Sequence, residues 1–108
     1  MSELRELQAV FAQYVSLLIR KADLLGYEVT LGEAWRSPEE RERVGFPNSN
    51  HGRRLAIDLN LFRDGAYLPR TKDHEPLGEW WEKQHPLARW GGRFADGNHY
   101  SFEYRGVK

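Results

Sequence analysis

The chain has 108 residues, of which 40% are hydrophobic and 13% aromatic, a composition typical of one folded globular domain. Sixteen basic residues balance sixteen acidic ones, which argues against a nucleic-acid-binding protein, since such proteins usually carry a basic excess. There is no cysteine, so disulfides and thiolate metal sites are excluded and any metal must be held by nitrogen and oxygen.

Residues 2–25 are predicted to form an amphipathic helix. Apolar residues recur there at helical spacing, Ser2 is a suitable N-cap, and Gly26 is a suitable stop. The apolar stripe comprises Leu4, Leu7, Val10, Phe11, Tyr14, Leu17, Leu18, Leu24 and Leu25. We expect this stripe to cover the core, with an interaction surface as the less favoured alternative.

The start of the chain carries no recognisable targeting segment. Glu3, Arg5 and Glu6 interrupt it, and no apolar run is long enough to span a membrane. We therefore expect synthesis in the cytoplasm without a signal peptide and without stable membrane association. A target outside the cell would then require a separate factor to release the protein.

The next segments are predicted to be extended and then helical. Residues 27–35 are rich in β-formers and are expected to be extended up to Arg36. Ser37 then has the features of an N-cap, with Pro38 at the first helical position and acids following. This helix must be short, because glycine, proline and asparagine residues predict a loop over residues 45–50.

Two alternating segments in the second half predict strands. Residues 55–62 place leucines and an isoleucine on one face and Asp58 on the other, and residues 99–104 alternate in the same way. A hairpin turn at residues 63–65 returns the chain through residues 66–68, and residues 73–84 predict a second short helix. We therefore predict an α+β fold with a small antiparallel sheet and flanking helices.

The polar faces of these two strands carry potential metal ligands. Asp58 lies in mid-strand, His99 begins the other strand, and His51 lies seven residues before Asp58. If the strands are neighbours, two imidazoles and one carboxylate converge, a set that suits Zn²⁺ with an open fourth position. A lone histidine is more often an ordinary polar residue and a mid-strand aspartate a hydrogen-bonding one, so spacing alone leaves both interpretations open.

Four short sequence motifs bear on the function of the chain. Ser49-Asn50-His51, Leu55-Ala56-Ile57-Asp58, Trp90-Gly91-Gly92 and Asp96-Gly97-Asn98-His99 stand in this order. Their pattern resembles the zinc peptidases of the D-alanyl-D-alanine carboxypeptidase family, which includes VanX- and VanY-type enzymes and the phage L-alanyl-D-glutamate endopeptidases. The Trp-Gly-Gly motif is similar to the phage branch in particular, and the resemblance spans about residues 35–102.

The resemblance implies a ligand set and a cofactor. It implies that His51, Asp58 and His99 hold Zn²⁺, which lowers the pKa of its bound water to roughly 7 and polarises the scissile carbonyl. It places the catalytic acid at Asp96, three residues before His99, where it would take the proton of the water and later protonate the leaving amine. The alternative for Asp96 is that Asp-Gly is simply a turn signal.

Other site residues follow from the same resemblance. Arg36 matches an arginine that faces the substrate, although a surface ion pair with neighbouring glutamates is an equal alternative. Ser49 would support the loop or the substrate, with capping of the loop alone an equal alternative. Glu103 is a candidate from the strand pattern and not from the resemblance: it shares the predicted face of His99 and would orient an imidazole. His74 and His85 are expected at the surface.

One position departs from the family pattern. The glycine of the first motif falls on Arg54 in this chain. Glycine at such a point permits close backbone approach or a positive φ. We therefore expect Arg54 either to adopt an ordinary conformation or to be shifted because Gly52 takes over the turn.

The chain length and the resemblance together predict a single zinc peptidase domain over residues 1–108, and the resemblance implies a Hedgehog/D-Ala-D-Ala-peptidase-like fold. The expected activity is that of a bacteriophage endolysin, a monomer that degrades the cell wall by cutting the L-Ala-D-Glu bond of the peptidoglycan stem peptide. The alternatives are a D,D-carboxypeptidase or dipeptidase acting on D-Ala-D-Ala ends, and a non-catalytic zinc-binding phage structural or wall-recognition module. A metal-dependent nuclease is a distant third, because it would need a basic groove.

Overall fold

The structure, a computed structural model, describes residues 2–32 and 50–108. Helix α1 (Glu3–Leu24) begins after Ser2, whose hydroxyl oxygen accepts the backbone N–H of Arg5 at 3.2 Å. The chain leaves the helix at Gly26, which has a φ of 88°. The predicted helix, its N-cap and its glycine stop are therefore confirmed.

The buried stripe of α1 is narrower than the sequence predicts. Phe11 and Leu18 are buried, as expected for the core face. Val10, Leu17 and Leu24, spaced seven residues apart, are exposed. The expectation that these three cover the core is wrong, because a single sheet contacts only one side of a straight helix.

Within the described ranges, five strands form one antiparallel sheet. They are β1 (Glu28–Leu31), β2 (Ala56–Arg63), β3 (Ala66–Tyr67), β4 (Ala88–Trp90) and β5 (His99–Phe102). Their order is β1-β2-β5-β4, with β3 paired to β2. With its flanking helices, this sheet confirms the predicted α+β class.

The turns and the second helix follow the prediction closely. The β2–β3 hairpin turns at Asp64 and Gly65, whose φ values are 52° and 78°. A 3₁₀ turn (Thr71–His74) precedes α2 (Glu75–Glu82), so the predicted helix begins with a tighter turn.

The core lies on one face of the sheet, between the strands and the two helices. The largest side chains that are fully buried there are those of Trp81, Tyr100 and Phe102. The Trp81 and Phe102 rings stack at 5.7 Å, and Phe11 meets the Phe102 ring edge-on at 5.1 Å. Burying each such side chain contributes about 1.5–3 kcal/mol. Because the apolar residues of β2 and β5 face this core, the polar residues that alternate with them along each strand face the opposite side of the sheet.

His74 lies inside the protein, so the expectation of a surface residue is wrong. Its side chain lies against the core, with 3% of the residue exposed, and Nδ1 is 2.7 Å from the Tyr100 hydroxyl. Burial lowers the pKa of His74 to about 4, although Asp73 opposes this shift. His85 is half-buried and stacks on Phe102 at 4.5 Å.

Several predictions concern residues outside the described part of the chain. These are the end of the extended segment after Gly32, the short helix beginning at Ser37, and the site residues Arg36 and Ser49. Within residues 2–32 and 50–108, neither helix combines the length and the apolar character that crossing a membrane requires.

Candidate metal centre

The register of two neighbouring strands pairs Asp58 with His99. Asp58 lies directly opposite His99 across the β2–β5 ladder, and Ile57 lies opposite Tyr100. The adjoining backbone bond runs from the Leu59 N–H to the Asn98 carbonyl at 3.0 Å. Because directly opposed residues share a face of the sheet, the two candidate ligands project to the same side.

His51 reaches the same place from a short 3₁₀ helix (Asn50–Arg53) that precedes β2. The Leu55 N–H donates to the Asn50 carbonyl at 2.9 Å and closes this turn onto the strand. His51 is buried, and its Nε2 lies 3.2 Å from Oδ1 of Asp58. The loop preceding β2 therefore delivers the third candidate ligand.

The three side chains form a compact nitrogen and oxygen cluster. Nδ1 of His99 lies 3.6 Å from Oδ1 of Asp58, and one potential ligand atom from each residue lies within 4.8 Å of the others. Tetrahedral Zn²⁺ with bonds of about 2.0–2.1 Å separates its ligand atoms by roughly 3.4 Å. The two distances to Asp58 match this spacing, so the donor set fits the ion that the resemblance implies.

The second nitrogen of His99 fixes which ring atom faces the cluster. Nε2 of His99 lies 3.1 Å from the main-chain oxygen of Lys108. Because that oxygen only accepts, the form of His99 that makes this hydrogen bond carries a proton on Nε2. In the neutral tautomer that makes this bond, Nδ1 has the lone pair that a metal-binding imidazole requires.

Asp58 is ionised over the physiological pH range. Burial by itself raises the pKa of this carboxyl, but hydrogen bonds and charge interactions with His51 and His99 outweigh it and lower the pKa to about 2. A cation therefore displaces no proton from Asp58 at neutral pH.

Asp96 lies on the solvent side of this cluster. Its side chain is 52% exposed, and Oδ2 lies 3.9 Å from Nδ1 of His99. The Asp96 N–H donates to the Gly91 carbonyl at 2.8 Å, and the His99 N–H donates to the Asp96 carbonyl at 3.1 Å. Ala95, which directly precedes Asp96, adopts a left-handed conformation with a φ of 60°. This tight loop holds a carboxylate beside the metal-facing nitrogen of His99.

The Trp-Gly-Gly motif has a packing role in the same loop. A Cβ at Gly91 would collide with the Asp96 carbonyl oxygen and lie 2.7 Å from the Cβ of His99. The Trp90 indole N–H donates to the Gly97 carbonyl at 2.7 Å. The glycine therefore allows the Asp96 loop to approach β5 closely.

The remaining predicted residues lie elsewhere. Oε1 of Glu103 pairs with Nε of Arg89 at 3.1 Å, so the structure does not place Glu103 beside an imidazole. The group that orients His99 is instead the main-chain oxygen of Lys108, for which sequence offers no signal. Sequence reasoning also missed Phe94, which is 47% exposed and lies edge-on to His99 at 5.6 Å. An aromatic two residues before Asp96 was the available signal.

Arg54 occupies the position at which the family pattern has glycine. Its φ is 56°, so it keeps the left-handed conformation that glycine would favour. Both expectations were therefore wrong: Arg54 is not in an ordinary conformation, and Gly52 has not taken over the positive φ. A residue with a Cβ therefore holds this backbone conformation at the cost of local strain.

Comparison with known proteins places these residues in a family. A family model described as D-alanyl-D-alanine carboxypeptidase matches residues 44–102, more than half of the chain. No curated protein matches. The matched range contains His51, Asp58, Asp96 and His99, and it identifies a peptidase. The chain therefore belongs to the D-alanyl-D-alanine carboxypeptidase family, whose members are zinc peptidases that act on peptidoglycan.

Proposed function

We propose that this protein is an endolysin-like, zinc-dependent peptidase that cuts the L-Ala-D-Glu bond of the peptidoglycan stem peptide. The observation that carries the proposal is the half-exposed carboxylate of Asp96, 3.9 Å from the nitrogen of His99 that faces the His51, Asp58 and His99 cluster. A metal site with a structural role alone has no need of an acid at this position.

The proposed chemistry divides between the three ligands and the acid. Bound Zn²⁺ would supply a Lewis acid that polarises the scissile carbonyl and acidifies a water molecule. His51, Asp58 and His99 would hold the ion through Nε2, Oδ1 and Nδ1, the atoms that converge. Asp96 would accept a proton from the attacking water and deliver it to the departing amine.

Exposure around the cluster supports a substrate that continues on both sides of the scissile bond. Asp96 and Phe94 both face solvent beside His99. Among the described residues this edge of the cluster is exposed, and such an edge would admit a stem peptide that is still attached to the glycan. Phe94 would contact an apolar part of the peptide, and Arg36 and Ser49 keep the substrate-facing roles that the resemblance implies.

A second candidate is a D,D-carboxypeptidase or dipeptidase that removes D-Ala from the end of the stem. The description of the matching family model favours it. Such an enzyme needs a cationic anchor for the terminal carboxylate, and Arg36 would be that anchor. A non-catalytic zinc-binding module is less favoured because of Asp96.

Mass analysis of digested peptidoglycan separates these candidates. Purified peptidoglycan would be incubated with the zinc-loaded protein, and the new termini would be identified by mass spectrometry. A new amino-terminal D-Glu is the expected result. Release of D-Ala would support the carboxypeptidase, and zinc binding without cleavage would support the module. Access to the wall would follow release by a separate factor, so the assay uses isolated peptidoglycan.

A further inference from the structure

The side chain of Asn50 is a buried junction between three parts of the chain. It is fully buried, and its Nδ2 donates to the Phe102 carbonyl at 2.9 Å and to the Val107 carbonyl at 2.6 Å. Its Oδ1 accepts from Nη1 of Arg53 at 3.2 Å. Both amide hydrogens and the amide oxygen are thus engaged, as a buried polar group requires.

One of these partners belongs to a tight turn. Tyr104 and Val107 exchange backbone hydrogen bonds of 2.9 and 3.0 Å, and the turn passes through Arg105 and Gly106 with φ values of 49° and 81°. The residue that follows, Lys108, supplies the main-chain oxygen that accepts from His99. The turn therefore controls where that acceptor lies.

We propose that Asn50 and the turn over residues 104–107 position both imidazoles of the metal site. Asn50 directly precedes His51 and so fixes the 3₁₀ helix that carries it. Through Val107 the same amide fixes the segment that selects the tautomer of His99. One buried side chain thus couples two ligands that are 48 positions apart in sequence. This inference rests on the proposed function, because it assumes that the cluster binds a metal.

The consequence is a metal affinity that depends on closure of the turn. When the turn opens, His99 loses its acceptor and both neutral tautomers become accessible. Only the tautomer protonated at Nε2 binds through Nδ1, so the apparent affinity falls with the fraction of molecules in which the turn is closed. Loss of an orienting hydrogen bond to a ligand typically weakens metal binding by about 10–100-fold.

Two glycines provide a matched test. Gly106 and Gly65 occupy the same position in similar turns, with φ values of 81° and 78°, and a Cβ at either meets nothing within 4 Å. Gly106→Val and Gly65→Val should therefore impose the same backbone strain and lower the melting temperature by a similar amount, roughly 5 °C. Only Gly106→Val should weaken Co²⁺ and Zn²⁺ binding, by about fivefold.

The tautomer gives a second readout that needs no metal. Long-range ¹H–¹⁵N spectra of the metal-free parent should show a proton on Nε2 of His99, and both Gly106→Val and Asn50→Ala should show Nε2 partly deprotonated. Asn50→Ala should also weaken Co²⁺ binding by about tenfold or more. If this variant fails to fold, the glycine pair still decides the matter.

Two outcomes separate the failure of this proposal from that of the proposed function. Equal metal affinity in the two glycine variants, with an unchanged His99 tautomer, would overturn the positioning role. A parent protein that binds neither Co²⁺ nor Zn²⁺ would overturn the metal site and leave the tautomer comparison to decide whether Asn50 and the turn orient His99.

Discussion

Arg54 offers a direct test of the strained loop between His51 and Asp58. Its φ of 56° is costly for a residue with a Cβ, by about 1–2 kcal/mol. Replacement by glycine releases this strain, but glycine also gains about 0.5–1 kcal/mol of conformational freedom in the unfolded chain. We therefore expect Arg54→Gly to be more stable than Arg54→Ala by about 0.5–1 kcal/mol.

The comparison with alanine isolates the backbone effect. Arg54→Ala removes the same side-chain contacts as Arg54→Gly but keeps the Cβ, so the difference between the two variants reports the backbone strain less the conformational freedom that glycine gains on unfolding. Urea unfolding of both metal-free variants would measure this difference in the free energy of unfolding. Thermal unfolding should show a matching difference in melting temperature of roughly 2–6 °C. An alanine variant as stable as the glycine variant would refute the left-handed conformation. The parent itself is not the reference, because it retains the arginine contacts.

Three further predictions concern the core, the metal and the substrate cleft. Because the unfolded state takes up a proton on His74 near pH 6.5 and the folded state only near pH 4, stability should fall by up to about 3 kcal/mol as the pH drops between these values. Urea unfolding should show a shallower pH dependence for His74→Gln, and an unchanged slope would contradict the buried neutral histidine. When free zinc is present at about 100 times its dissociation constant, removing it should lower the free energy of unfolding by about 2.7 kcal/mol, seen as a lower melting temperature. The same treatment should leave the melting temperature of Asp58→Ala unchanged. Phe94→Ala should raise KM for a muropeptide about fivefold without changing zinc affinity, whereas an unchanged KM would exclude substrate contact.

Much of the fold could be predicted from the sequence because its signals are local. Ser2 and Gly26 delimit α1, and the alternation around Asp58 gives a strand with one apolar face. The antiparallel pairing of Asp58 with His99 was an expectation that required the two strands to be neighbours. The structure confirms that neighbourhood.

What could not be predicted depends on tertiary contacts. Strand β4 has three residues, too few to display alternation, and forms because β5 offers it a free edge. His74 is a polar residue beside a helix, and its burial is made tolerable by a tertiary hydrogen bond to Tyr100. The acceptor for His99 is a main-chain oxygen, a group that every residue carries and that no sequence pattern marks.

The central claim is that Asp96 is the acid that makes this metal site catalytic, and one matched comparison tests that claim. Asp96 and Asp64 both precede a glycine in a turn, but the Asp64 turn is the β2–β3 hairpin. The measurement is muropeptide cleavage by zinc-loaded Asp96→Asn and Asp64→Asn, with bound zinc determined on the same samples. The account predicts that both variants bind zinc like the parent, that Asp64→Asn cleaves normally, and that Asp96→Asn loses at least about 100-fold in kcat. Normal cleavage by zinc-loaded Asp96→Asn would contradict it.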